Sequence, residues 1–215
     1  SELFLSAPAV VNSRFGISDA GTAMNAYKNG LASFVEKTDL EAIEKAKSFI
    51  GFISEPFSDD DFNRLVPELE SIISADNYDM KKIIEAVADS GKVLYMCDGA
   101  AENILTALVN LGGEICGIVA NQPAVKNGSL DSSAAKKAGR FIGFCDDFNI
   151  PVISLVDTEG FEADKNENIG DSSLLLNAFA NAEIPKISLI IGRAYGSGYI
   201  SMCSKVTGAD VVLAW

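Results

Sequence analysis

An α/β fold with parallel strand pairing is what this sequence predicts, from three observations. Residues 150–156 and 186–191 are nearly unbroken runs of β-favouring apolar residues, the mark of strands covered on both faces. Helical patterns separate such runs, and alternation of strand and helix builds layered α/β folds. Residues 103–111 and 115–121 form a pair of apolar runs joined through Gly112 and Gly113, which reads as a hairpin.

Taken in order, residues 3–5 read as a strand, and Ser6 or Ala7 starts a short helix with Pro8 in its first turn. A second short helix is expected around residues 18–21, and a strand over 31–36. Thr38 and Glu41 have capping-box spacing, and Leu40, Ile43, Ala46, Phe49 and Ile50 form one apolar stripe behind them. Two prolines and the acidic cluster Asp59, Asp60 and Asp61 break the pattern between residues 51 and 67, marking a boundary with a solvated linker. A helix over 80–88 and a strand over 93–96 lead into the hairpin. A helix over 132–148 then carries Ala135, Ala138, Phe141, Ile142 and Cys145 on one side, with Lys136, Lys137 and Arg140 expected on its wet face. The second half continues as strand 150–156, a polar loop, helix 172–181, strand 186–191, a glycine-rich turn into a helix, and a last strand over 210–214.

Composition narrows the chemistry. Thirty acidic against 17 basic residues give a net charge of −13, so the basic face a nucleic-acid binder needs is not expected. No run is long and apolar enough for a membrane span, and no signal peptide is evident, so a cytoplasmic protein is expected. Cys97, Cys116, Cys145 and Cys203 are scattered without metal-site or disulfide spacing, and read as reduced thiols; no metal site is expected. With no histidine, the commonest general base and the Ser-His-Asp triad are both excluded.

Chemistry must then reside elsewhere. Residues 191–202 pass from a buried strand through Gly196, Ser197 and Gly198 into a helix. Backbone N–H groups there can hold an oxyanion without any ionisable side chain, or the segment is a tight structural turn. Two other turns close buried strands: Asn121-Gln122-Pro123, and Asp157 to Phe161. Asp157 and Glu159 form a carboxylate pair or two solvated acids of a turn. Lys126, Lys136, Lys137 and Arg140 are candidates for meeting a phosphate.

The stretch 137–153, Leu155-Val156-Asp157 with Gly160-Phe161, residues 176–180 and 184–187, and Ala194-Tyr195-Gly196-Ser197-Gly198-Tyr199 resemble the biotin-dependent acyl-CoA carboxyltransferase family. So do residues 3–8, 64–67 and 117–123, in order along nearly the whole chain. The resemblance implies a crotonase-like (ClpP/crotonase) fold, a spiral of ββα units, present as a partial chain. Residues 1–55 would be the tail of an acyl-CoA-binding domain and 56–215 the opening part of a biotin-binding domain. It implies carboxyl transfer between carboxybiotin on a carrier protein and a short-chain acyl-CoA, through a biotin enolate held by backbone amides. Ser197 and Gly198 would form that oxyanion hole, with Gly196, Tyr195, Gly160 and Phe161 around biotin and Asn121, Gln122 and Arg193 toward the substrate. The implied partners are a biotin carboxyl carrier protein, biotin carboxylase or decarboxylase subunits, acyl-CoA and further copies of the chain. The chain departs from the family pattern in having Gly196-Ser197-Gly198 for Gly-Gly-Ala and Glu159 for proline. The same transfer run as acyl-CoA decarboxylation, and a non-catalytic assembly subunit that keeps the fold, are the alternatives.

Overall fold

In the computed structural model, which describes residues 7–54, 65–75, 77–162 and 169–215, six strands form one sheet in the order β1 to β6. β1 (Val93–Tyr95), β2 (Ile104–Leu111) and β3 (Glu114–Asn121) are antiparallel, with Leu111 opposite Glu114 across the glycine turn. β4 (Val152–Thr158), β5 (Lys186–Ala194) and β6 (Val211–Ala214) then add in parallel. The hairpin and the parallel run agree with the sequence expectation. The expected strand at 3–5, the acidic cluster Asp59, Asp60 and Asp61, and Arg64 lie outside the described residues.

Alternation along the strands divides the core. On one face Val152 and Val156 pack with α6 (Ser132–Asp147) and α7 (Ile169–Asn181); on the other, Leu155 and Ile191 pack with α4 (Glu68–Ile73) and α5 (Met80–Val87). Ala135, Ala138, Phe141, Ile142 and Cys145 are buried together, as their spacing on α6 requires. Close packing leaves Gly117 no room for a side chain: a Cβ there would stand 2.6 Å from Cys145 Sγ and 3.2 Å from Phe141. All four cysteines are free, and burial pushes Cys145 and Cys203 to about 12 and Cys116 to about 11. Those three thiols stay protonated and inert near neutrality.

The N-terminal segment departs from expectation twice. After α1 (Pro8–Phe15) and α2 (Ala23–Lys28), residues 31–36 form no strand; Ser33 O instead accepts a hydrogen bond from Cys97 N. Cys97 Sγ adds a weak 3.9 Å contact to Ala32 O, but among the described residues the β-favouring residues of the segment find no ladder. α3 (Asp39–Ser54) does begin with the capping box, Glu41 N donating to Thr38 Oγ1 (3.2 Å) and Thr38 N to Glu41 Oε2 (3.0 Å). Its packed face, however, is Phe49, Phe52 and Ile53, with Phe49 against Phe34 and Phe144 at 6.2 Å, while Leu40, Ile43 and Ile50 face outward.

A second correction concerns α6. Lys136 and Arg140 are exposed, but Lys137 is buried, its Nζ donating to Ala100 O (2.8 Å) and Ile104 O (2.7 Å). A buried ammonium must be satisfied, and here carbonyls at the start of β2 do it. Lys186 is treated alike, its Nζ bonding Phe179 O and Ala182 O at the end of α7.

Burial, partly opposed by Asp98, pulls the Lys137 amine down from 10.5 to about 8. Its folded pKa thus lies below the unfolded value, so the cost of burying the charge is present below pH 8 and lifts between pH 8 and 10.5. A neutral amine keeps two N–H groups for its two short bonds. Compared with Lys137→Met in urea unfolding, the wild type should therefore gain stability over that window, by on the order of 1–3 kcal/mol; titrations common to both proteins cancel in the difference. Gly117→Ala should lose about 1–3 kcal/mol by overpacking, with part restored by Cys145→Ala in the double variant, read from thermal melts.

Candidate active site

β4 and β5 carry their last residues past the sheet core to one end of the molecule, where ligands of α/β folds collect. Their pairing is irregular there: Val156 pairs with Ile190, but Thr158 with Ala194. Asp157 sits in the irregularity, 4% exposed, and its Oδ1 accepts from Arg193 N (2.9 Å) and Arg193 Nε (2.8 Å). Glu159 takes the other side of the guanidinium at 2.9 Å. Burial works against the Arg193 charge, but the bond and charge of Asp157, then Glu159, hold its pKa above the ordinary guanidinium value. Asp157 is buried and Glu159 exposed, and the two are not a facing acid/base pair; they clamp one arginine.

A cavity of about 440 Å³ opens beside the clamp, lined by Tyr78, Asp157, Arg193 and Tyr195 among others. Tyr78 Oη is buried there facing Asp157, with no hydrogen bond of normal geometry among the described residues. Burial, then the Asp157 charge, pushes that phenol well above its usual pKa.

Beyond the clamp, Tyr195 N donates to Thr158 O (3.3 Å) and the chain turns into α8 (Gly196–Ser201). Gly196 opens this helix at φ +54°, a conformation glycine adopts without strain. Gly198 is buried against Gly160: a Cβ would lie 2.6 Å from Gly160 Cα, so nothing larger than glycine fits without movement. Gly160 is fixed in turn, its N–H donating to Thr158 Oγ1 (3.0 Å) and its carbonyl accepting from Leu130 N (2.8 Å). Phe161 bridges to Leu130 and is half-buried. The N–H groups of Gly196, Ser197 and Gly198 have no acceptor among the described residues, and Gly196 and Ser197 are exposed.

The structure thus brings Tyr195, Gly196, Ser197, Gly198, Gly160 and Phe161 together and sets the other three apart. Asn121 is buried, Nδ2 donating to Gly128 O (3.1 Å) and Oδ1 accepting from Asp157 N (3.2 Å). Gln122 accepts from Met80 N (2.9 Å) and donates to Asp79 (2.7 Å). Both tie loops to the sheet, and Arg193 is committed to the clamp, so the geometry gives all three a structural task. Lys126, a candidate phosphate ligand, pairs with Asp131 and Glu162 at 2.9 Å each. Thr158, Leu130 and Tyr78 were not singled out from the sequence. The spacing Thr158-x-Gly160 is that of a hydroxyl-to-backbone turn and was the available signal; Leu130 and Tyr78 reach the site from distant segments and leave no local signal.

Comparison with known proteins shows the family and the fold. The carboxyl transferase domain family matches residues 1–215. The chain is 36% identical to the methylmalonyl-CoA decarboxylase alpha subunit of Veillonella parvula, covering all of this chain and 46% of that protein. It is 33% identical to the methylmalonyl-CoA carboxyltransferase 12S subunit of Propionibacterium freudenreichii subsp. shermanii, again over all of this chain and 45% of that protein. A crystal structure of transcarboxylase 12S, with methylmalonyl-coenzyme A and methylmalonic acid bound, superposes with a TM-score of 0.89 at 34% identity, covering all of this chain and 45% of that one. The chain spans about half the length of these relatives, and shares their crotonase-like α/β fold. It belongs to the carboxyl transferase domain family.

Proposed function

We propose that the chain takes part in carboxyl transfer between carboxybiotin, on a carrier protein or domain, and a short-chain acyl-CoA, with backbone N–H groups at the start of α8 as the oxyanion hole. The observation that carries this reading is that the Ser197 and Gly198 N–H groups, at a strand end, have no acceptor among the described residues, in a chain without histidine. The donor set fits a ureido oxygen: neutral, preorganised and beside a helix start, where partial positive charge accumulates. Biotin supplies the carboxyl carrier and a ureido oxygen that bears negative charge once the carboxyl has left. Ser197 and Gly198 N–H donate to that oxygen. Gly196 sets their direction, while Gly160 and Phe161 wall one side and Tyr195 the other. The clamp of Asp157, Glu159 and Arg193 fixes the strand from which these amides project.

Relatives named for methylmalonyl-CoA support that thioester as a substrate, and the decarboxylase among them favours the same transfer run toward decarboxylation as a second reading. In this reading residues 1–55 close an acyl-CoA-binding domain and 56–215 open a biotin-binding one. The partners are a biotin carrier, carboxylase or decarboxylase subunits and further copies of the chain. Among the described residues no helix is long and apolar enough to cross a membrane, in keeping with a cytoplasmic enzyme.

Ser197 stands second in α8, where proline is tolerated, so Ser197→Pro removes one N–H with little disturbance. Carboxyl transfer from methylmalonyl-CoA to free biotin should fall on the order of 100-fold or more; near-normal turnover in a folded variant would count against the oxyanion hole. Arg193→Gln leaves the Asp157 carboxylate buried without its cation and should lower stability by about 3 kcal/mol, together with kcat. Glu159→Gln, at the exposed side of the clamp, should cost under about 1 kcal/mol. Comparable melting temperatures for the two variants would refute the buried clamp.

A further inference from the structure

The cavity beside the Asp157–Arg193 clamp lies across the sheet from α8. Ile73 and Ile191 form its apolar wall on the α4 side, whereas α8 packs through Tyr199 and Met202 into the core of the other face. Two buried oxygens border the cavity with capacity unspent. Both bonds that Arg193 gives Asp157 go to Oδ1, and Oδ2 has no donor among the described residues. Oδ2 lies over Gly192, where a Cβ would stand 2.5 Å from it, so the missing side chain keeps this oxygen open. Tyr78, 8% exposed, brings its Oη toward the same carboxylate without a bond of normal geometry, and no donor reaches that oxygen among the described residues.

Charge decides what can complete them. Asp157 and Glu159 share one guanidinium, so two carboxylates against one cation leave the clamp one negative charge. Burial is the main cause of the raised Tyr78 pKa, and after it the Asp157 charge outweighs the opposing Arg193 charge. The potential at the phenol is therefore negative, and an anion is repelled. A neutral donor gains an ordinary hydrogen bond there, whereas a cationic donor gains charge-assisted ones of about twice the strength. Tyr195, exposed at the rim, adds an aromatic ring of the kind that attracts cations. A metal ion fits less well, since among the described residues no three His, Cys, Asp or Glu side chains gather.

We propose that this cavity binds the ammonium group of a small aliphatic amine. Asp157 Oδ2 and Tyr78 Oη accept from its nitrogen, which carries three N–H donors, and its alkyl chain lies against Ile73 and Ile191. The site stands on the clamp and the cavity alone, whether or not α8 holds biotin.

Titration of the full chain with butylammonium, against butanol and butyrate at constant ionic strength, tests the site by calorimetry or chemical-shift change. Saturable binding of butylammonium is expected, about 10-fold or more tighter than butanol, with none of butyrate. Tyr78→Phe should weaken it about 5-fold or more by removing one acceptor. Ala75→Phe, at an exposed position on the cavity wall, should abolish it by filling the space, and serves if Tyr78→Phe does not fold. Ser197→Pro should leave it unchanged. Absence of saturable butylammonium binding, equal affinity for butanol, or undiminished affinity in a folded Tyr78→Phe or Ala75→Phe overturns the site. Loss of carboxyl transfer in Ser197→Pro with amine binding intact keeps the two readings separable.

Discussion

The arrangement at the end of the sheet depends on a buried carboxylate. Asp157 leaves water where β4 and β5 lose register, and desolvation of an isolated charge there would be severely unfavourable. Arg193 offsets this twice, through its backbone N–H and its Nε, so a single residue fixes both the strand and its own side chain. Because two donors from one residue meet one oxygen, β5 cannot slide or twist against β4 without breaking both. Three residues further on, α8 begins from that fixed strand. The direction of its first N–H groups is therefore inherited from an ion pair that contacts none of them. The Gly198–Gly160 approach closes the construction from the opposite side, since two backbones in contact leave no slack for a side chain to take up.

Cations elsewhere in this acidic chain are used in a related way, to gather backbone carbonyls. Lys137 draws the start of β2 onto α6, and Lys186 draws the end of α7 onto β5. Both seal places where helix or loop carbonyls would otherwise be buried without donors. Surface ion pairs such as Lys45–Glu36 at 3.7 Å add little by comparison.

Elements set by local sequence were legible; those set by partners were not. The hairpin through Gly112 and Gly113, the Thr38–Glu41 capping box and the alanine-rich face of α6 each rest on residues within a few positions of one another. Residues 31–36 have strand propensity, but propensity without a neighbouring strand leaves the backbone unpaired, and the segment stays irregular. The stripe Leu40, Ile43 and Ile50 has good helical periodicity, which specifies that a face exists and not which surface covers it. Lys137 was readable in principle: it stands three residues after Ala134 and four before Phe141, on the buried face, and only its charge argued for water.

The site divides along the same line. Gly196, Ser197 and Gly198 announce a turn in which peptide groups can act, because glycine spacing is written in the chain itself. What the spacing leaves open is whether those peptide groups are spent internally, and that is decided by Thr158, Gly160 and Leu130, from segments up to 68 residues away. Thr158 takes the Gly160 N–H and Leu130 takes its carbonyl, so the loop facing α8 satisfies itself and makes no demand on the donors of Ser197 and Gly198. Among the described residues those donors stay unspent, while their neighbours are already paired. A set of free backbone donors of this kind consists of absences of internal bonds, which no pattern of side chains spells out. Asn121 and Gln122 show the converse: amides at a strand end look like ligands in sequence, yet the fold consumes them to anchor the loop and helix that frame the site.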